Sequence, residues 1–257
     1  MTRRGLLVGR SGAAVAAALL AGCSAIPKPK PVDYSTFCDA KAELAQIEAS
    51  FKKPRNQTVS LGFAAPYMPT KVSARGGVAM SPPGDLRMIL TGPGGVTGLD
   101  LWLHEGRFRF AVPAIDRVIR GDVSMPPEKK RGLPVDFLRW WMLDPLAGEL
   151  LWAGRDADGL HFVLRDRDAY VDATIAKDGR VTAVRTTWSE AGEKIDEETV
   201  SASSIGCGHV EYKQQSTELS VEATCEKERG DVPSRAFVDP DSLNGDTPHP
   251  DSAGAKP

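Results

Sequence analysis

Apolar positions along the chain fall into two textures. Leu44, Ile47 and Phe51 recur at helical spacing until Pro54 ends the pattern, and Ser35 and Thr36 are residue types that cap a helix start. One amphipathic helix therefore opens the folded part. From Thr58 the pattern changes to short apolar segments split by Gly and Pro, at 72–80, 85–91, 97–103 and 107–112. Leu99, Leu101 and Leu103 alternate with Asp100, Trp102 and His104, and Glu105-Gly106 turns the chain into a second alternating run through Phe108, Phe110 and Val112. The alternation predicts an antiparallel meander with one wet face and one apolar face.

A polar loop at 121–132 carries Pro126-Pro127 and Glu128-Lys129-Lys130-Arg131. Pro134 then starts a second helical segment in which Phe137, Leu138, Trp140, Trp141, Met142 and Leu143 place apolar side chains around most of the circumference. Such a helix needs cover on more than one side. Adjacent helical positions lie about 100° apart, so Trp140 and Trp141 are expected to divide between a core wall and a movable lid. Strands resume at 149–153, 159–164, 169–176 and 180–188, with Asp158-Gly159 and Asp178-Gly179 as hairpin turns, and two more flank Gln214-Gln215-Ser216. After Phe237 the composition falls to Asp, Pro, Ser, Gly and Lys, which predicts a disordered tail over 239–257. The fold class read from this order is mainly β (α+β): about ten antiparallel strands, curved around an apolar helix, with no repeat of 20 to 50 residues. A flat sheet with the helix on one face is the competing arrangement.

The N-terminus reads as an address. Residues 1–22 combine a basic start (Arg3, Arg4, Arg10), an apolar run from Gly12 to Ala21, and Leu20-Ala21-Gly22-Cys23, which resembles the bacterial lipobox. The apolar run is too short to span a hydrocarbon core of roughly 30 Å. The expectation is a lipoprotein signal peptide with Cys23 as the lipidated residue, exported by the general route or, through Arg3-Arg4, by the twin-arginine route. Removing 1–22 takes three arginines and leaves 29 basic against 34 acidic groups. Ser24 after the Cys resembles the sorting signal for the outer membrane rather than inner-membrane retention. Residues 23–34, with Pro27, Pro29 and Pro31 alternating with lysines, form an extended tether.

Composition narrows the function classes. The 257 residues include 41% apolar positions, enough for a sizeable core, and 32 basic against 34 acidic side chains give a net charge of -2 that draws the chain to no nucleic acid. Beyond the leader no apolar run approaches the length of a membrane-spanning helix.

Several segments, in order, resemble the LolB family of outer-membrane lipoprotein receptors: Arg75-Gly76-Gly77-Val78-Ala79-Met80, Leu86 through Gly95, Leu99-Asp100-Leu101, Leu133-Pro134-Val135 and Leu138-Arg139-Trp140-Trp141-Met142-Leu143. Pro233-Ser234-Arg235-Ala236-Phe237 is similar to the terminal segment of the related carrier LolA. The resemblance implies a half-open antiparallel β-barrel of about 10–11 strands over 35–238. It also implies helices plugging or covering an apolar cavity for acyl chains of lipoproteins or lipids, and a periplasmic carrier protein as partner. One departure stands out: where the receptors carry a protruding large apolar residue, this chain has Gly94-Gly95 and only Val96 beside them.

Moving an acyl chain forms no bond, so the reading needs an apolar wall and a lid rather than a catalytic group. The candidate wall is Leu99, Leu101, Phe108 and Phe110, extended by Val163, Val171 and Ile175; the candidate lid and plug are Phe137, Trp140, Trp141 and Met142. Arg87 and Arg139 are candidates for a polar mouth that meets a carbonyl or phosphate. No nucleophile elbow, zinc helix, P-loop or C-x-x-C pair is present, so no enzyme activity, cofactor or metal site is expected. Asp156, Asp158, Asp166, Asp168 and Asp172 are read as turn and outward positions. Of the cysteines left after lipidation, Cys207 with Cys225 is favoured as the disulfide over a pair involving Cys38, although pairing Val210 with Val221 and Tyr212 with Leu219 in that hairpin shifts the register away from it. The function that follows is a lipid-anchored envelope protein, outer-membrane and periplasm-facing, that binds acyl chains as a lipoprotein receptor or lipid carrier. The alternative is a structural or adaptor lipoprotein of the same fold with a filled core.

Overall fold

The computed structural model describes residues 32–66, 71–130, 132–233 and 235–243. The leader at 1–22, Cys23, the tether up to residue 31, Ser234 and the tail from 244 onward lie outside the described residues. Helix α1 (Tyr34–Phe51) starts two to three residues earlier than Ser35 and Thr36 suggest, because Asp33 is its cap: the carboxylate accepts from the Thr36 backbone N–H at 2.9 Å and from both hydroxyls. Those bonds, Ser35 first, hold the Asp33 carboxyl below its usual range.

Thirteen strands follow: β1 (Arg55–Ala64), β2 (Val72–Ser81), β3 (Asp85–Thr91), β4 (Thr97–His104), β5 (Arg107–Val112) and β6 (Arg117–Asp122), then β7 (Glu149–Arg155), β8 (Gly159–Asp166), β9 (Ala169–Ala176), β10 (Val181–Trp188), β11 (Lys194–Ala202), β12 (His209–Gln214) and β13 (Leu219–Arg229). They form one antiparallel sheet in the order β6-β5-β4-β3-β2-β1-β13-β12-β11-β10-β9-β8-β7. Each arm is a plain meander, and the arms meet where β1 pairs with β13. Strands β6 and β7 are the two free edges, so the barrel stays half open. Between them run the short helix α2 (Pro127–Lys130) and the apolar helix α3 (Val135–Met142).

The fold class expected from sequence is the one observed, with more strands: β1, β6 and β11 add to the ten read from alternation. Each hid for a physical reason. Strands β1 and β11 turn polar residues inward, with Arg55, Gln57, Asp196 and Glu198 all buried, so the apolar rhythm is broken. Strand β6 is an edge with no buried position, so it has no apolar face to show.

The core face of the sheet carries Val59 and Leu61 on β1, Met88 and Leu90 on β3, Phe162 and Leu164 on β8, and Val221 and Ala223 on β13, joined in one cluster with α3. The last hairpin takes neither register considered from sequence: Val210 faces Ala223 and Tyr212 faces Val221. Cys207 and Cys225 are bonded across its open end, where Gly206 bends the chain with a φ of 88°; Cys38 is free. The C-terminal segment also departs from expectation. Asp239 and Asp241 belong to the fold, not to the tail, because arginines on the outer face of the sheet hold them: Arg120 meets Asp239 at 2.9 Å and Arg109 meets Asp241 at 3.0 Å. Just before them the Phe237 carbonyl accepts from Trp102 Nε1 at 2.8 Å, and Trp102 is buried on that outer face.

Candidate functional site

Helix α3 lies on the concave side of the sheet with Val135, Phe137, Leu138, Trp140, Trp141 and Met142 all buried. Trp140 is 2% exposed and Trp141 is 3% exposed, so the two do not divide between wall and solvent. A half-barrel covers a helix on nearly every side, which overrides the one-face logic of a surface helix. The Phe137 ring stacks on Tyr212 of β12 with centroids 4.0 Å apart. Leu99, Leu101, Phe108 and Phe110 are buried on the same cluster, as is Val171. Val163 is on the other face, opposite Asp172, and Ile175 is only partly buried.

Only Asp136 and Arg139 break the apolar surface of α3, and both meet charges. Asp136 takes the Lys130 ammonium at 2.8 Å, with Arg167 at 3.7 Å; Arg139 stands 3.7 Å from Asp166. Behind them Arg185 of β10 is buried between Asp166 at 3.0 Å and Glu198 at 2.8 Å, and the Tyr212 hydroxyl donates to Glu198 at 2.6 Å. Burial pushes Asp136 upward, but the Lys130, Arg167 and Arg185 charges outweigh it and hold the carboxyl below its usual value. For Arg185 burial opposes the charge, and the Glu198, Asp166 and Asp136 carboxylates reverse that and raise it. Tyr212 is raised by burial and then by Glu198. Arg139 is lowered by burial and by Arg167. The ends of the segment are tied too: Gln214 accepts from the Gly132 N–H at 3.1 Å, and Arg55 donates to the Met142 carbonyl.

Arg87 and Arg139, expected together at a polar mouth, are separated by the fold. Arg87 lies on the outer face of β3, paired with Asp100 beside Arg109, and burial with the Arg109 charge pushes it down to about 10. Asp166 was expected to point outward and instead points inward. The ionic cluster around Arg185 was missed, yet its signal was in the sequence. Asp166 shares strand parity with Phe162 and Leu164, Arg185 with Val181 and Ala183, and Glu198 with Val200 and Ala202. Strands β8, β10 and β11 thus each turn one charge inward.

No family model matches the chain, and neither does any curated protein. Among solved structures, a LolA superfamily protein from Nitrosomonas europaea superposes with a TM-score of 0.50 at 12% identity, over 77% of this chain and 97% of that one. That likeness defines the class of fold: an unclosed antiparallel half-barrel of LolA type, wrapped on a helix. Two others align more loosely. A domain assigned to outer membrane lipoprotein sorting from Vibrio parahaemolyticus covers 77% of this chain and 97% of its own, at 14% identity and a TM-score of 0.46. A DUF1329 family protein from Desulfovibrio piger covers 80% and 96%, at 12% identity and 0.45.

Proposed function

We propose that the chain is a lipid-anchored envelope protein that takes up acyl chains of lipoproteins or lipids in the half-barrel, with α3 as the displaceable occupant. The supporting observation is α3 itself: an all-round apolar helix in an unclosed barrel, bracketed by the left-handed backbone of Gly132 (φ 80°) and Leu146 (φ 63°). Uncovering its six buried side chains costs roughly 9 to 18 kcal/mol at about 1.5 to 3 kcal/mol each. A sixteen-carbon chain entering from water returns about 12 kcal/mol at about 0.8 kcal/mol per methylene. Helix and acyl chain are therefore comparable occupants of one apolar site. No bond is made or broken in the exchange, so the reading requires no catalytic group.

A second reading has its own support. The ion pairs on Asp136 and Arg139 clamp α3, and every wall residue named above except Val163 and Ile175 is buried in the same core cluster, which suits an adaptor with a permanently filled core. A fluorescent fatty acid titrated into the purified chain separates the two. Saturable binding at micromolar probe, accompanied by a red shift of tryptophan emission as α3 leaves, is the expected result. Absence of saturable binding, with the circular dichroism of the fold intact, selects the adaptor. The anchor is tested apart from the cavity. Cys23→Ala should abolish incorporation of a labelled fatty acid in cells and release the protein from the membrane fraction, whereas persistent labelling would refute a lipobox at Cys23.

A further inference from the structure

A groove of about 800 Å³ opens at one end of the half-barrel, between the Val123–Pro126 loop and the turns that follow β8 and β10. Its size lies in the range of small-molecule sites, roughly 300 to 1,000 Å³. The wall is apolar and aromatic: Val123, Met125 and Pro126 on one side, Trp188 and Tyr170 on the other, with Tyr170 45% exposed. Arg165, Arg167 and Lys130 also line it, against Asp168 and Glu190. Lys130 Nζ and Arg167 Nη1 each donate to the Val123 carbonyl at 2.9 Å and so fix the loop.

Two of the cations keep capacity for an incoming anion. Arg167 stands 3.5 Å from Asp166 and 3.7 Å from Asp136, longer than good hydrogen bonds, so it retains N–H donors. Arg165 pairs with Glu149, but both side chains are about half exposed, and such a pair contributes little and re-aims readily. An apolar slot beside paired guanidiniums matches a ligand with an acyl tail and a phosphate or carboxylate head. We propose that this groove binds an anionic amphiphile, its tail along Met125 and Trp188 and its head at Arg165 and Arg167. The site works with α3 in place, so it stands apart from the interior reading. It also lies at the opposite end of β7 from Val32. Val32 lies beside Gly154 near the far end of β7, whereas Arg165 pairs with Glu149 at the near end.

The test uses the full chain and tryptophan quenching by lysolipids brominated on the acyl chain. Lysophosphatidylglycerol should quench saturably, and Trp188→Phe should remove most of that quenching. Arg165→Gln should weaken the anionic lysolipid roughly tenfold, the scale of one charge-assisted hydrogen bond, and leave lysophosphatidylcholine unchanged. Met125→Glu should weaken both. Glycerol phosphate alone should not compete. Quenching that survives Trp188→Phe would place the lipid at one of the other four tryptophans and overturn the groove, and its further loss in Trp140→Phe or Trp141→Phe would assign it to the barrel interior. Equal binding of the two lysolipids, indifference to Arg165→Gln and Met125→Glu, or displacement by glycerol phosphate would each overturn the proposal.

Discussion

Trp140→Ala and Trp141→Ala should each cost roughly 3 to 5 kcal/mol of stability, as expected for large-to-small changes in a packed core. That is a large share of the 5 to 15 kcal/mol typical of a folded domain. Both side chains sit in the same cluster, with ring centroids 5.9 Å apart, so neither truncation can be absorbed by solvent. The two should not add: each cavity borders the other, and the double variant should lose less than the sum of the singles. Trp140 offers a control, because its Nε1 is buried with no hydrogen-bond partner among the described residues. Trp140→Phe keeps most of the apolar volume and removes that unsatisfied donor, so it should lose far less than the alanine variant. Urea melts of the four variants check this. A loss under about 1.5 kcal/mol for either alanine change would mean that position is not core.

Arg185→Met should rank next, at roughly 3 to 5 kcal/mol, since it strands Asp166 and Glu198 as buried charges with their main partner gone. The effect has a pH signature. Stranded carboxylates acquire folded-state pKa values above their unfolded ones, so the folded state binds protons more readily and the variant's deficit should shrink as pH falls toward 4. Adding Asp166→Asn and Glu198→Gln should recover much of the loss at neutral pH. A deficit that is flat between pH 4 and 7, or a triple variant no better than the single, would show that Arg185 acts through packing rather than charge.

The readable parts of the fold share one property: their apolar period was unbroken. Helix α3 stood out because Val135 to Leu143 is apolar but for Asp136 and Arg139, and β4 and β5 because Leu99, Leu101, Leu103, Phe108 and Phe110 recur at every second position. Legibility failed where the inward parity carried charge. Asp196 and Glu198 on β11 and Arg55 on β1 look like solvent positions in a one-dimensional pattern, and only their three-dimensional partners show otherwise. The same limit explains Arg87, which alternation places between apolar neighbours but cannot assign to a mouth or an outer face. For the site, the plug was legible and most of its clamp was not, because Asp166 and Arg167 reach α3 from a distant turn of the chain.

The seam between β1 and β13 shapes how such a chain finds its fold. Among the described residues, eleven of the twelve strand pairings join neighbours in sequence and only this one joins distant ones, as in the bond from Gln57 to Glu228, 171 residues apart. All-β proteins tend to fold slowly because distant contacts must form before they are rewarded. Here each arm can zip locally, hairpin by hairpin, and the entropy of closing one very long loop grows only logarithmically with its length. Half-open topology thus gives a thirteen-strand sheet most of the kinetic character of two separate meanders, joined at a single late stitch.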